Sequence, residues 1–559
     1  MFRYRRLLLP IMALPLLCGC SSPEVLPDQS SESTTAVTET DAKATKAASE
    51  TTTEAESTEP ADPAFDFGDC MPILSITTAD KSSSAMDFIT EPVTRHVAES
   101  IASWTPGYKI PPEPYYTECA VTLTDTDENV LLNSAGAQVK VRGNWTTTYD
   151  KKPLRIKFDE KQSMLGLNDG AEYRNWVLLA EYKDASMLRN RSALSVAREL
   201  LGSDGLYAAD AELVEVVVNG RYWGVYLLTE MQQVNSGRVD VTEPEVGYTG
   251  YDIGYFLEFD GYYTNEDELH GFFVDYSDNA ELIPFDGNGG SGKTMKCLSS
   301  GRKDPKKDVG FTVKSDINSK EQIDFISSFV DGVYDIMYHA AYDDKAYVFN
   351  SDYSAIEATS SVSPREAVER VVDLDSLADM YIISELTCDA DIYWSSFFMS
   401  ADFGPDGSRK LRFEAPWDFD SAMGNKDRCS DGTGFYAANI VPDVNGGKNG
   451  GGEYDTINPW LAVLMYEDWF TDMIHEKWTN AYDRGVFSDA VDMINSDADD
   501  LSSAFDRNYE RWDNLRDKSA FGNELSRGAM KCKTHKEAAG YLADWLQKRI
   551  NFLNDYWHK

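Results

Sequence analysis

Positive charge is scarce in this chain. Its 559 residues carry 52 Lys and Arg against 94 Asp and Glu, for a net charge of −42. Nucleic acid is held by a surplus of Lys and Arg, so it is excluded as a partner. The same acidity repels anionic lipid. There are only six histidines, scattered and without H-E-x-x-H, which removes a zinc-protease reading. No G-x-S-x-G is present either, so there is no nucleophile elbow of a serine hydrolase. Eight cysteines include no C-x-x-C pair, which argues against a structural zinc site. After the first twenty residues no run approaches the roughly 20 apolar residues of a membrane span.

The N-terminus supplies the clearest local signal. Arg3, Arg5 and Arg6 precede LLLPIMALPLL, a run too short to span a bilayer comfortably. It closes on Leu17-Cys18-Gly19-Cys20, which resembles a bacterial lipobox with Cys20 as the lipidated residue. An ordinary cleaved secretory signal is the alternative, and either one takes the protein out of the cytoplasm. The expected location is extracytoplasmic, lipid-anchored to the bacterial cell membrane, with membrane contact only through that lipid. Residues 21–68 are rich in Ser, Thr, Glu and Ala and bury too little to fold, so they read as a disordered tether.

Beyond residue 69 the chain reads as α+β, strand-rich first and helix-rich later. MPILSITT, AVTLTD and the two runs of QVKVRGNWTTTYDKKPLRIKF alternate as strands, and Asn219-Gly220 joins a hairpin over 211–230. GYFLEFD continues the sheet. Helices are expected over 185–202, 320–338 and 373–386, the last capped by Asp375, and through most of 459–557. Residues 279–310 and 443–455 read as loops. Cys70 and Cys119 could staple the first part, and Cys388 and Cys429 could clamp the later one, with buried free thiols the alternative. Lys140, Arg142, Lys151, Lys152, Arg155 and Lys157 gather in 138–158. They could meet an anion such as phosphate, or balance neighbouring carboxylates. That stretch holds no phosphate-loop pattern of its own.

The chain is organised around 384–425, SELTCDADIYWSSFFMSADFGPDGSRKLRFEAPWDFDSAMGN. It reads as a helix end, an acidic loop with Asp389 and Asp391, a hairpin, and a second acidic turn with Asp418 and Asp420. A hairpin returns its ends to one place, so the two acidic pairs should converge. Converging carboxylates suit a hard cation such as Mg²⁺, Mn²⁺ or Ca²⁺; two solvated acidic turns are the plain alternative.

Four fragments in order, VRGNWTTTYDKKPLRIKF, NGRYWGVYLLTE, ELTCDADIYWSSFFM and PWDFDSAMGN, resemble the spore coat protein H (CotH) kinase-like family. The similarity runs from about residue 71 to 425 and more faintly beyond. It implies an atypical protein-kinase-like, two-lobed fold: a β-rich N-terminal lobe with inserted helices over 69–370 and a helical C-terminal lobe over 371–559. It implies transfer of phosphate from ATP to Ser or Thr of an exported protein, with Mg²⁺ or Mn²⁺. Asp391 would orient and deprotonate the acceptor, while Asp418 and Asp420 would hold metal. Arg142, Lys152 and Lys157 compete for the phosphate-binding role, and Glu230 could pair with such a cation or merely cap a strand. Asp402-Phe403-Gly404 imitates the kinase metal motif, yet it sits in a Gly/Pro turn at the far end of the hairpin. Trp394-Ser395-Ser396 stands where a metal-binding Asn is expected. Two rival classes follow: an inactive surface scaffold on the same fold, and a glycan-active protein using paired carboxylates.

Overall fold

The computed structural model describes residues 67–80, 86–90, 102, 116–143, 145–274, 276, 281–287, 295–296, 309–426, 431–439, 457–521 and 524–559. The signal with Cys20, nearly all of the tether, Cys297, Cys429 and the 443–455 loop lie outside these residues. So does the proposed Cys388–Cys429 clamp.

Seven strands close into a barrel: β1 (Ile73–Thr78), β2 (Thr117–Thr124), β3 (Val130–Val141), β4 (Leu154–Gln162), β5 (Tyr173–Leu179), β6 (Ala211–Val218) and β7 (Arg221–Glu230). Their order is β1-β2-β3-β4-β5-β7-β6, and β6 returns to β1 in parallel. Alternation explains the interior. Leu154, Ile156 and Phe158 of β4 point into an apolar core with Leu74, Val139 and Trp176, while Arg155 and Lys157 take the other face. The β6–β7 hairpin turns on Asn219 and Gly220, both with positive φ, as the type I′ pair requires.

The expected continuation through GYFLEFD is corrected here. Strand β8 (Gly254–Asp260) leaves the barrel and becomes the centre of a second, five-stranded sheet. Its neighbours are β9 (Gly271–Phe272), β10 (Gly310–Val313), β11 (Phe397–Asp402) and β12 (Arg412–Phe413), in the order β12-β11-β8-β10-β9. Every residue of β8 is buried, so both faces are covered, and its two acids are satisfied inside, Glu258 by Lys314 and Asp260 by Thr312. No local pattern in the sequence distinguishes a sheet that closes from one that continues.

Helix α1 (Arg189–Ser203) connects β5 to β6, and α2 (Lys320–Asp343) precedes α3 (Leu374–Thr387). The C-terminal part is helical: α4 (Asp468–Asp483), α5 (Val486–Asp500), α6 (Ser502–Arg511) and α7 (His535–Trp557). Helix α3 packs between α1 and α4, and α5 lies on α7. Its N-cap is Asp373, whose side chain accepts from the Ser376 N–H at 3.1 Å, and not Asp375. Cys70 and Cys119 are free thiols, so they form no staple. No helix among the described residues is long and apolar enough to cross a membrane.

Two buried cations hold this arrangement. The Lys151 ammonium donates to the Ala180 carbonyl, the Val225 carbonyl and Asn508 Oδ1, joining the barrel to α6. Arg549 of α7 pairs with Glu385 at the end of α3, and both are fully buried. Glu385 in turn accepts the Tyr436 and Ala437 N–H groups. Removing one partner of such a pair leaves an uncompensated buried charge. Arg549→Ala is therefore expected to cost about 3–5 kcal/mol in urea unfolding, with Arg549→Leu/Glu385→Leu recovering part of the loss.

Candidate functional site

Strands β11 and β12 pair antiparallel, Met399 opposite Phe413 and Ser400 opposite Arg412. Their inner ends carry the two acidic turns. Helix α3 stops at Cys388, which is left-handed (φ 48°). Asp389 Oδ1 then accepts the Asp391 N–H at 3.0 Å, and the Asp391 carbonyl accepts from Trp394 and Ser395 at 2.8 and 3.0 Å. The loop leaves through Ser396 (φ 59°), whose N–H donates to Glu258 Oε1 at 2.8 Å. After β12 the chain turns at Asp418 (φ 72°) into a short 3₁₀ turn, Phe419–Ser421.

These turns bring Asp391, Asp418 and Asp420 together. All three are buried, and one carboxylate oxygen from each lies within 4.8 Å of the others. Asp389 is not in the group; its side chain fastens the loop. Asp402 is remote, with its carboxylate held by Thr242 and the Gly404 N–H. Burial pushes the Asp391 carboxyl up to about 6, helped by Asp420 and Glu524 and opposed by Lys426 and Lys183. Burial and then Asp420 push Asp418 well above the usual carboxylate range, against Lys426.

The donor set fits a hard divalent cation. Asp391 Oδ2 and Asp418 Oδ2 are both buried and accept no hydrogen bond among the described residues. Asp420 is shared, because its Oδ1 lies 2.9 Å from the Lys183 ammonium. Among the described residues, the carboxylates of Asp391, Asp418, Asp420 and Glu524 face the ammonium groups of Lys183 and Lys426, and Glu181 adds a further repulsion on Asp420. That local excess of acid is what a divalent ion on oxygen ligands would offset.

Asp418 and Asp420 line a cleft between the barrel and the α1 start, and Asp391 stands behind them, outside its lining. Arg142, Tyr149, Lys151, Glu181, Lys183 and Trp417 are among its walls. The Arg142 guanidinium stands 5.5 Å over the Trp417 ring and has no carboxylate in ion-pair range among the described residues. The other nucleotide candidates are elsewhere. Lys152 is buried and donates to the Thr147 and Tyr149 carbonyls at 2.8 and 2.7 Å, away from the cleft lining. Lys157 lies on the outward face of β4, opposite Gln138 and Asn175. Glu230 does find a cation, but it is Arg238, at 3.1 Å with both side chains fully buried.

The cations that do reach the acids, Lys183 and Lys426, escaped the sequence reading. Lys183 follows directly on the buried strand β5 in WVLLAEYKD, where a charged cluster at a strand exit was the available signal. The pattern GNGGSGKT at 287–294 also has the P-loop form. All of it beyond Gly287 lies outside the described residues, and the next described helix of any length starts only at Lys320.

The model of the family described as CotH kinase protein matches residues 139–553. The chain belongs to the CotH kinase family. Comparison with curated proteins found no match. Membership in the CotH kinase family points to kinase-like function in general, and with it to a nucleotide, a divalent metal and a protein substrate.

The crowded carboxylates predict opposite responses to one change. In Asp418→Asn the ion-free protein gains thermal stability because a buried repulsion is removed, while stabilisation by Mn²⁺ is lost. The pH dependence has a definite sign. Well below pH 3.8, its ordinary value, Asp391 is protonated whether the chain is folded or not; between there and about pH 6 the unfolded chain is ionised while the folded carboxyl still holds its proton. The ion-free wild type therefore loses stability across that window, and Mn²⁺ restores it. Thermal melts between pH 4 and 7, with Mn²⁺ or with chelator, read both effects.

Proposed function

We propose that this protein is a metal-dependent phosphotransferase that moves the γ-phosphate of ATP to Ser or Thr of an exported protein. The observation that carries the reading is the pair of buried, unpartnered oxygens on Asp391 and Asp418 beside a cleft with a cation, Arg142, free to meet phosphate. The barrel would serve as the small lobe and the helical part as the large one, with the cleft between them, in the manner of protein kinases. The export signal and Cys20 support action outside the cytoplasm on a lipid tether.

Mg²⁺ or Mn²⁺, held by Asp418 with Asp420 in support, would neutralise charge on the triphosphate. Everything else falls to the chain. Arg142 offers its fork to phosphate oxygens and Trp417 fixes that fork by stacking. Lys183 keeps Asp420 in place through Asp420 Oδ1 and the Ser421 hydroxyl. Asp391 would orient the acceptor hydroxyl and take its proton.

One observation favours a second reading. Ser395 and Ser396 occupy the expected place of a metal-binding Asn, and both hydroxyls are buried without a hydrogen bond among the described residues. A scaffold that binds nucleotide without transferring phosphate would tolerate that loss.

Incubation with γ-labelled ATP, Mn²⁺ and a secreted-protein fraction tests both readings. Wild type is expected to label Ser or Thr. Asp391→Asn should lower transfer on the order of 10²–10⁴-fold while nucleotide still binds, and Asp418→Ala should remove Mn²⁺-dependent nucleotide binding. Binding without any transfer favours the scaffold; neither binding nor transfer sinks both.

A further inference from the structure

The Asp418 turn is held from outside itself. Asp418 has φ 72° and ψ 60°, a left-handed backbone that an L-residue adopts at a cost of roughly 1–2 kcal/mol. Such a conformation persists only where neighbouring groups over-determine it. The next peptide group is gripped by α1, because Asn190 Oδ1 accepts the Phe419 N–H at 2.8 Å. Asn190 Nδ2 faces the other way and donates to both oxygens of Glu181, at 3.0 and 3.2 Å. Its neighbour Arg189 holds the far side of the turn, with Nε donating to the Ala422 carbonyl at 3.2 Å.

The chemistry of the partners fixes the orientation of this amide. A backbone N–H can only donate, so Oδ1 must face Phe419, which leaves Nδ2 to face Glu181. Glu181, Asn190 and Phe419 are 5, 4 and 1% exposed, so solvent has little access to these bonds even though Glu181 and Asn190 border the cleft. Loss of the amide would strand a buried N–H, and the turn would relax toward negative φ. Asp418 would then swing its carboxylate out of register with Asp391.

We infer that Asn190, locked by Glu181, is a positioning residue that aims Asp418 at the metal. It acts through the turn, by holding the peptide that follows Asp418. This inference rests on the metal reading given under Proposed function, and the test separates the two.

The full chain is compared with Asn190→Ala, Asn190→Asp and the swap Asn190→Asp/Glu181→Gln. Mn²⁺ binding is read by electron paramagnetic resonance, folding by thermal melts in chelator, and the turn by hydrogen exchange at the Phe419 amide. Asn190→Ala is expected to weaken Mn²⁺ binding roughly 10- to 100-fold, the range seen when a group orienting a metal ligand is lost. It should also speed Phe419 exchange. Asn190→Asp sets two carboxylates face to face and should do the same. The swap restores a donor opposite an acceptor at unchanged net charge, so it should recover both Mn²⁺ affinity and Phe419 protection. Should Asn190→Ala fail to fold, the swap measured against Asn190→Asp carries the test alone. Wild-type affinity in Asn190→Ala overturns the inference. A swap that regains thermal stability but not Mn²⁺ affinity also overturns it, by showing a structural role only. A wild type that binds no Mn²⁺ overturns the metal reading itself and this inference with it.

Discussion

The constraint on which the rest of the structure depends is the cost of burying like charge. Asp391, Asp418 and Asp420 sit within 4.8 Å of one another, away from water, with Glu524 behind them. Isolated carboxylates in such a place would take up protons or push apart. Two lysines reduce the cost without removing it. Folding must therefore be driven elsewhere, by the barrel core and by the Trp- and Phe-rich packing beneath α3, and spent here. An ion held by these carboxylates would relieve that cost, which is why the cluster supports the proposed metal reading.

Backbone strain follows from the same demand. Cys388, Ser396, Ala415, Asp418 and Met423 all have positive φ within one short region. Only glycine adopts such angles freely, so these five residues are held by what surrounds them. The holding groups come from distant chain. Glu258 of β8 takes Ser396, α1 takes Phe419 and Ala422, and Ser526 takes the Asn425 and Gly424 carbonyls. The two acidic turns thus depend on the barrel exit, the second sheet and the C-terminal helices at once. That is why a chain of this size converges on one small cluster.

The sequence made the carboxylates legible and left the cations hidden, for one reason. Antiparallel pairing of β11 with β12 is local, so the hairpin argument could place Asp391 near Asp418 from spacing alone. It could also set Asp402 aside, since a Gly/Pro turn marks the far end. Lys183 reaches Ser421 across 238 residues, a distance over which no periodicity reports. The cluster at 138–158 was seen as basic, but composition does not say which ammonium faces a cleft. Lys152 turned to two carbonyls and Lys157 to the outer barrel face; Arg142 and Lys151 stand in the cleft wall, and Lys151 is committed to the Ala180 and Val225 carbonyls. Barrel closure was invisible for the same cause: β1 and β6 pair in parallel only after five strands have been laid between them in space.

The serines after Asp391 gain meaning from the charge count. In a protein kinase the catalytic-loop Asn is a neutral ligand that serves a second metal ion. Here Ser395 and Ser396 stand in its place, each with a buried hydroxyl that makes no hydrogen bond among the described residues. The described carboxylates of Asp391, Asp418, Asp420 and Glu524 still outnumber the ammonium groups of Lys183 and Lys426 that face them. On the proposed reading, a first ion on those carboxylates does not depend on the missing Asn, and a second could come bound to the triphosphate itself. The loss of Asn therefore does not by itself describe a broken kinase.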